Sequence, residues 1–487
     1  MKLRRGLAKW IGVVAVAVPS FAHSAEQGKP PNIVVILADD MGYGDARCYN
    51  EDSKIPTPHL DKLASEGMRF TDAHTPSSVC SPTRYAMLTG RYAWRTELKR
   101  QVLWAWDRPL IENGRLTMAS MLNQHGYHTA CIGKWHLGWE WRTAVGTAMP
   151  TSLKIGQSNH KLRVKLAEKV DYTQELGGGP LGAGFDYYFG DDMVNQPPYL
   201  WIENQRCLTQ PTEPLLKGIR EGCSNGPATP GWDQTKVLPR ITDRAVQYLR
   251  TRGATKDRPF FLYFALTAPH LPVMPGEAYV GKSSYGSYGD FVHHVDAIVG
   301  QVDKALAKAG LAENTLVIFT SDNGSFAPRK NGHSPNGALR GKKGSIYEGG
   351  HRVPFIVRWP DKIKPGSVNG QLVGVNDLMA TVAAIVGHSL PDDAAEDSVN
   401  FLPTLLDATK AVRQDLVAHS ANGEFALRDG DWKLISNARR KPTQLYHLGN
   451  DPAESKNLIA AEKEVVARFA AKLERYHQQG RSVDRKP

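Results

Sequence analysis

Five cysteines scattered over 487 residues make no disulfide framework. Any cysteine that matters here must do so through its neighbours. No apolar run reaches the roughly 20 residues needed to cross a bilayer, so a membrane span is not expected. The cations build no tract, arm or recognisable nucleic-acid motif, although the formal net charge is +11. Nucleic acid is therefore not the expected partner. There is no internal repeat or low-complexity tract, and 41% apolar residues exclude disordered and fibrous classes while allowing a substantial core.

The longest apolar run opens the chain. Lys2, Arg4, Arg5 and Lys9 precede or begin a stretch from Trp10 to about Ala22, followed by small residues. This pattern predicts a secretory signal over residues 1–24, cut after Ser24 or Ala25. The pair Arg4-Arg5 faintly resembles a twin-arginine signal, but ordinary secretion is the better expectation. Removing the signal lowers the net charge to +7. A basic protein outside the cytoplasm, periplasmic or secreted, suits an anionic small molecule or polysaccharide.

Several apolar runs end in polar or charged residues: "PNIVVILADD" (31–40), "PFFLYFALTAPH" (259–270) and "TLVIFTSDNG" (315–324), with "PFIVRWP" (354–360) as a further strand. Buried parallel strands read this way when their carboxyl ends open on a site. Amphipathic patterns follow Pro56, Leu116 and Asp290. The alternation predicts an α/β fold, a large and mainly parallel sheet sandwiched by helices, with ligands at the carboxyl edge.

Residues 141–235 read as a long irregular insertion near the site, rich in Gly, Pro and Trp. Its aromatics, in "GWEW" (138–141) and "QPPYLWIEN" (196–204), could stack on sugar rings or serve as core. Cys207 and Cys223 could close a disulfide worth about 3 kcal/mol in an oxidising compartment, or remain free thiols. After "NDLMATVAAIVGH" the texture changes. "FALRDGDWKLI" and "TQLYHLGNDP" predict a small antiparallel sheet and "EKEVVARFAAKLERYHQQ" a closing helix. The expected division is a catalytic unit over 25–390 and an α+β subdomain over 391–487.

Four constellations could carry chemistry. Asp39 and Asp40 are adjacent carboxylates before two glycines. Like charges at a sheet mouth repel unless a cation lies between them, and hard oxygen donors suit calcium or magnesium. A lone acid pair would sooner be a solvated loop. Asp322 and Asn323, at the end of another strand, would alone be a turn, but with the first pair they complete an oxygen cage. Lys134 and His136 are two apart, on one face if the segment is extended, where they could bind an anion and pass a proton. A surface strand is the plain alternative. His270 follows a buried strand between prolines, a better place for a site histidine than the mid-helix pair His293 and His294. Lys342 and Lys343, among glycines in "LRGKKGSIYEGGHRVP", could bring a cation to an anion.

The stretch "CSPTRYAMLTGR" (80–91) sets Cys80 two residues before Pro82 and four before Arg84. Together with "ADDMGYGD", "GKWHLG" and "SDNG", in that order of family motifs and from about Pro31 to about Leu458, it resembles the formylglycine-dependent sulfatases of the alkaline phosphatase superfamily. Thr83 stands where many members have serine, with the Cys, Pro and Arg core intact. The resemblance implies that a formylglycine-generating enzyme oxidises Cys80, and that the aldehyde hydrate attacks a sulfate ester and then expels the sulfate. It implies metal ligation, most expectedly of calcium, by Asp39, Asp40, Asp322, Asn323 and the modified Cys80. Arg84 would hold the hydrate, and Lys134 and His136 would contact it, with His136 as base for sulfate release. His270 and Lys343 would bind sulfate and assist the leaving oxygen; Lys342 would not.

The expected activity is sulfate monoester hydrolysis, on a sulfated carbohydrate or polysaccharide fragment. Small aryl sulfates are the nearest alternative. A phosphonate or phosphate monoester hydrolase of the same superfamily could share most ligands, and a silent carbohydrate-binding homologue would keep an unmodified Cys80 thiol.

Overall fold

A computed structural model describes residues 29–149, 154–213 and 222–484. The predicted signal over 1–24 lies outside them. A ten-stranded sheet runs in the order Ser367–Asn369, Met68–Phe70, Phe355–Arg358, Thr315–Ser321, Asn32–Asp39, Phe260–Pro269, His128–Gly133, Tyr187–Gly190, Ile202–Glu203, Arg206–Cys207. The five long central strands from Thr315–Ser321 to Tyr187–Gly190 are mutually parallel. Phe355–Arg358 runs antiparallel between Thr315–Ser321 and Met68–Phe70.

Asn32–Asp39 is buried along its whole length because both sheet faces are covered. Alternate side chains serve different layers, as the two-residue strand period requires. Ile33, Val35 and Leu37 join a core containing Tyr85, Leu88, Met118 and Met379. Val34, Ile36 and Ala38 join another containing Leu60, Ile241, Val292 and Val295. One face thus carries the helices Cys80–Thr89, Met118–Gln124 and Leu378–Ile385, and the other carries Pro58–Glu66, Val237–Thr255 and Ser287–Lys308.

Register decides where the chemistry gathers. Ala38 pairs with Ser321 and Asp39 with Pro269. The residues that follow, Asp40, Asp322 and His270, therefore leave the sheet at one carboxyl edge.

The C-terminal strands Asp415–His419, Phe425–Asp429, Trp432–Ser436 and Pro442–His447 form an antiparallel sheet. Helix Lys463–Gln478 covers it, placing Phe469, Leu473 and Tyr476 against Leu427, Leu434 and Leu445. Lys433 ties this sheet to the larger one. Its buried ammonium lies 2.9 Å from Glu348 and 2.8 Å from Glu454.

Among its described residues, the irregular region 141–235 contributes only short strands and helices. Of the two readings of its tryptophans, sugar platform or core, the structure places them in the core: Trp139 and Trp141 are 1% and 2% exposed, and Trp201 stacks on Phe189 with centroids 5.2 Å apart. Large apolar rings give more stabilisation buried than displayed, and a loop-rich region has few other means of packing. Cys207 and Cys223 are free thiols, so the disulfide alternative does not hold. Cys207 packs against the core, and Cys223 accepts a hydrogen bond from Gln234.

Candidate active site

Asp39 closes the central strand, and Asp40 turns the chain out of it with φ +70°. A non-glycine residue adopts this left-handed backbone only when its surroundings insist. Here Asp40 N–H donates to Asp322 Oδ1 (3.1 Å) and Met41 N–H to Ser321 Oγ (2.9 Å). Gly42 is required next, since a Cβ there would lie 2.2 Å from the Pro335 carbonyl oxygen. Asn323 donates from Nδ2 to Asp40 Oδ1 (2.8 Å), and its own buried Oδ1 has no partner among the described residues.

Cys80 is the first residue of helix Cys80–Thr89, with extended Val79 before it. Pro82 fits in this first turn, where its missing N–H has no intrahelical acceptor to lose. Cys80 Sγ lies 3.6 Å from Asp39 Oδ1 and 4.0 Å from Asp40 Oδ1. Burial, with the nearby Asp322 charge, pushes the thiol well above its ordinary pKa. An unmodified Cys80 is thus a neutral thiol and a poor nucleophile.

Arg84 lies four residues on, so it shares the helix face of Cys80. Its Nε and Nη2 both donate to Asp322 Oδ2 (3.1 and 2.7 Å), Nη1 donates to the Lys134 carbonyl (3.1 Å), and Nη2 stands 3.4 Å from Asp39. Lys134 Nζ donates to Asp39 Oδ2 at 2.7 Å, and Lys343 Nζ donates to Asp40 Oδ2 at 2.7 Å. Lys342, beside it, is exposed. Burial alone would raise the Asp39 pKa, but Lys134, His270 and Arg84 hold it well below the usual carboxylate range. Asp322 is moved the other way, by burial and by the Asp39 charge. Three buried carboxylates thus face three cations, and a further anion would meet no surplus of positive charge.

His136 does not lie on an extended segment with Lys134. The strand stops at Gly133, and His136 has φ +54°. Its Nε2 donates to the Leu103 carbonyl (2.9 Å), which leaves the lone pair on buried Nδ1, a nitrogen with no partner among the described residues. His270 donates from Nδ1 to the Leu271 carbonyl (2.6 Å) and holds Nε2 3.7 Å from Asp40 Oδ2. Burial and then Lys343 lower its pKa to about 4. His293 and His294 serve helix packing: His294 stacks on Tyr279 and His293 Nδ1 donates to the Pro56 carbonyl.

The donors of Asp39, Asp40, Cys80 and His270 lie within 4.8 Å of one another. Asp322 is not one of this group; Arg84 grips its Oδ2 and the Asp40 amide donates to its Oδ1. Hard oxygens crowded in this way, with the Asn323 side-chain amide oxygen spare among the described residues, fit a divalent cation. Sequence reading missed Ser81, whose hydroxyl accepts from Leu103 N–H (3.1 Å), and Asp192, whose carboxylate accepts from His136 N–H (3.1 Å). The run "YYFGDD" ends in paired acids as "VVILADD" does, and that was the available signal.

The sulfatase family model matches residues 31–388, and a model of the N-sulphoglucosamine sulphohydrolase C-terminal region matches 342–479. The chain is 32% identical to the N-acetylgalactosamine-6-O-sulfatase of Bacteroides thetaiotaomicron, over 93% of this chain and 94% of that protein. It is 34% identical to human arylsulfatase A, over 88% of this chain and 84% of the relative. A solved structure described under the metabolism of multiple glycosaminoglycans by B. thetaiotaomicron superposes with TM-score 0.79 at 31% identity, covering 92% of this chain and 99% of that one. The family generally uses formylglycine and a divalent metal. With its parallel sheet, its cysteine-headed helix and these relatives, the chain belongs to the sulfatase family of the alkaline phosphatase superfamily and is a sulfuric ester hydrolase.

Proposed function

We propose that this sulfatase removes sulfate from sulfated carbohydrates, most specifically fragments bearing 6-O-sulfated N-acetylgalactosamine, using a formylglycine made from Cys80 and a calcium ion. The observation that carries the reading is the convergence of Cys80 with Asp39, Asp40, Arg84, Lys134 and Lys343 at one buried carboxyl edge. The names of the B. thetaiotaomicron, rat and mouse relatives supply the sugar. Identity to arylsulfatase A supports a second reading, on small aryl sulfates.

Oxidised and hydrated, residue 80 would supply paired hydroxyls, one to take the sulfuryl group and one to expel it. Asp39, Asp40, Asp322 and Asn323 would hold calcium, which would supply the positive charge that the balanced set of acids and cations lacks. Arg84 orients residue 80 from the next turn of its own helix. Lys134 and Lys343 set cations beside the ester oxygens. His136, neutral with its lone pair on Nδ1, takes a proton from residue 80 for sulfate release. His270 gains a proton at Nε2 only as imidazolium, a form that an anionic ester favours, and can then donate to the leaving oxygen. The chain is exported after cleavage near Ser24 or Ala25 and matured by a formylglycine-generating enzyme. It divides near residue 390 into catalytic and C-terminal units.

The test is a parallel assay of sulfate, phosphate and phosphonate esters of one alcohol, with defined sulfated oligosaccharides. Turnover of 6-sulfated N-acetylgalactosamine ends well above aryl sulfate supports the reading. Aryl sulfate dominance favours the second reading, and phosphonate dominance overturns both.

A further inference from the structure

The structure assigns to Asp192 the role of a positioning residue that holds His136 in its working orientation. This rests on the reading of His136 as the base for sulfate release. His136 occupies the left-handed backbone region at φ +54°, unfavourable for a residue with a Cβ. Two contacts keep it there. The ring Nε2 donates to the Leu103 carbonyl, which selects the tautomer with its lone pair on Nδ1. The backbone N–H donates to Asp192 Oδ1 at 3.1 Å.

Asp192 can serve as an anchor because it follows directly on a strand paired with the one that delivers His136. Tyr187–Gly190 pairs with His128–Gly133, Ile132 opposite Phe189. Tyr188 Oη donates to the Gly133 carbonyl (3.1 Å) and lies 2.9 Å from the Asp191 carbonyl, clamping the two strand ends together. Gly190 lets them meet, since a Cβ there would lie 2.0 Å from the Gly133 oxygen. Asp192 is buried, so water does not compete for the His136 amide. Without the carboxylate that amide is a buried donor lacking its acceptor, the turn has reason to relax, and Nδ1 shifts with it. A sub-ångström shift of a proton acceptor lowers the rate of the step it serves while leaving substrate binding in place.

Asp192→Ala, Asp192→Leu and Asp192→Asn are compared with His136→Ala in the full exported chain, each with conversion of Cys80 matched by peptide mass. Leu fills the Asp volume without an acceptor, and so covers the case in which Ala fails to fold. Ala or Leu should lower kcat by about tenfold or more with KM within about twofold, whereas Asn, which keeps an Oδ1 acceptor, should stay within about threefold of the parent. In the double variant with His136→Ala, loss of Asp192 should cost nothing further, since it acts through a ring already removed. A purely structural role would instead add to the loss. Full activity of the Ala or Leu variant, an Asn variant as slow as Ala, or additive losses would overturn the positioning role. An active His136→Ala would overturn the base assignment itself, and an inactive His136→Ala beside an active Asp192→Leu would overturn only the present inference.

Discussion

Arg84 grips a single oxygen of Asp322 with two donors, at 3.1 and 2.7 Å, and both side chains are fully buried. The pair joins the helix that begins at Cys80 to the strand end that supplies Asp322 and Asn323. Burying it is expensive, and Lys134 carbonyl and Asp39 complete the compensation. Arg84→Ala leaves Asp322 as a buried charge without its main partner, and should destabilise the fold by about 3–5 kcal/mol. Denaturant unfolding of the variant checks this; a loss under about 1 kcal/mol would show that the pair is not needed for folding.

Cys80 makes no comparable demand. Its sulfur makes long contacts with Asp39 and Asp40, and its neutral thiol forms no ion pair among the described residues. Cys80→Ala should therefore abolish sulfate ester turnover while costing about 1 kcal/mol of stability, the usual scale for a small buried truncation. Activity near that of the parent would remove residue 80 from the chemistry.

Much of this arrangement was legible in the residues, for physical reasons. A strand buried on both faces has little choice but an unbroken apolar run, so its end is visible where Asp39, His270 or Asp322 interrupts it. A cysteine, proline and arginine spaced two apart place Cys80 and Arg84 one helical turn from each other. The sign of a backbone dihedral is not visible in this way. Lys134 and His136 look like neighbours on one strand face, and only the tertiary hydrogen bonds to Leu103 and Asp192 reveal the turn. The tryptophans of residues 139–201 were ambiguous because the same ring suits a sugar or a core, and burial is a property of the whole chain. Asp192 shows in the sequence only as the second acid after the run "YYFG", and its partner, the His136 amide 56 residues earlier, has no local pattern to reveal it.

Calcium should stabilise the chain through the cage that includes Asp322. A ligand bound to the folded state at 100 times its Kd adds about 2.7 kcal/mol. Asp322→Ala should lose most bound calcium, as measured by elemental analysis, and with it the rise in melting temperature that calcium gives the parent. The comparison with and without calcium separates this from the unpaired Arg84, which lowers stability in both conditions. An unchanged calcium content in the variant would place the ion elsewhere, and magnesium in the purified parent would replace calcium in the assignment.

His419 couples acidity to stability at the junction between the C-terminal sheet and the Cys80 segment. Its backbone donates to the Pro76 carbonyl and accepts from Ser78 N–H, while its ring packs against Phe425 with centroids 4.9 Å apart. Burial, then the charges of Lys99 and Arg100, lower its pKa to about 4. The folded state therefore keeps this ring neutral where the unfolded chain, titrating near 6.5, is already protonated. Protons bind the unfolded state preferentially across that window, so stability is intact above pH 6.5 and is lost as the pH falls toward 4. The full shift is worth on the order of 3 kcal/mol. His419→Phe keeps the ring contact and both backbone hydrogen bonds but removes the titrating group, so its unfolding free energy should fall less steeply than the parent's between pH 6.5 and 4.5. Urea titrations of the two proteins across that range measure the difference, and parallel slopes would mean that other groups carry the acid sensitivity.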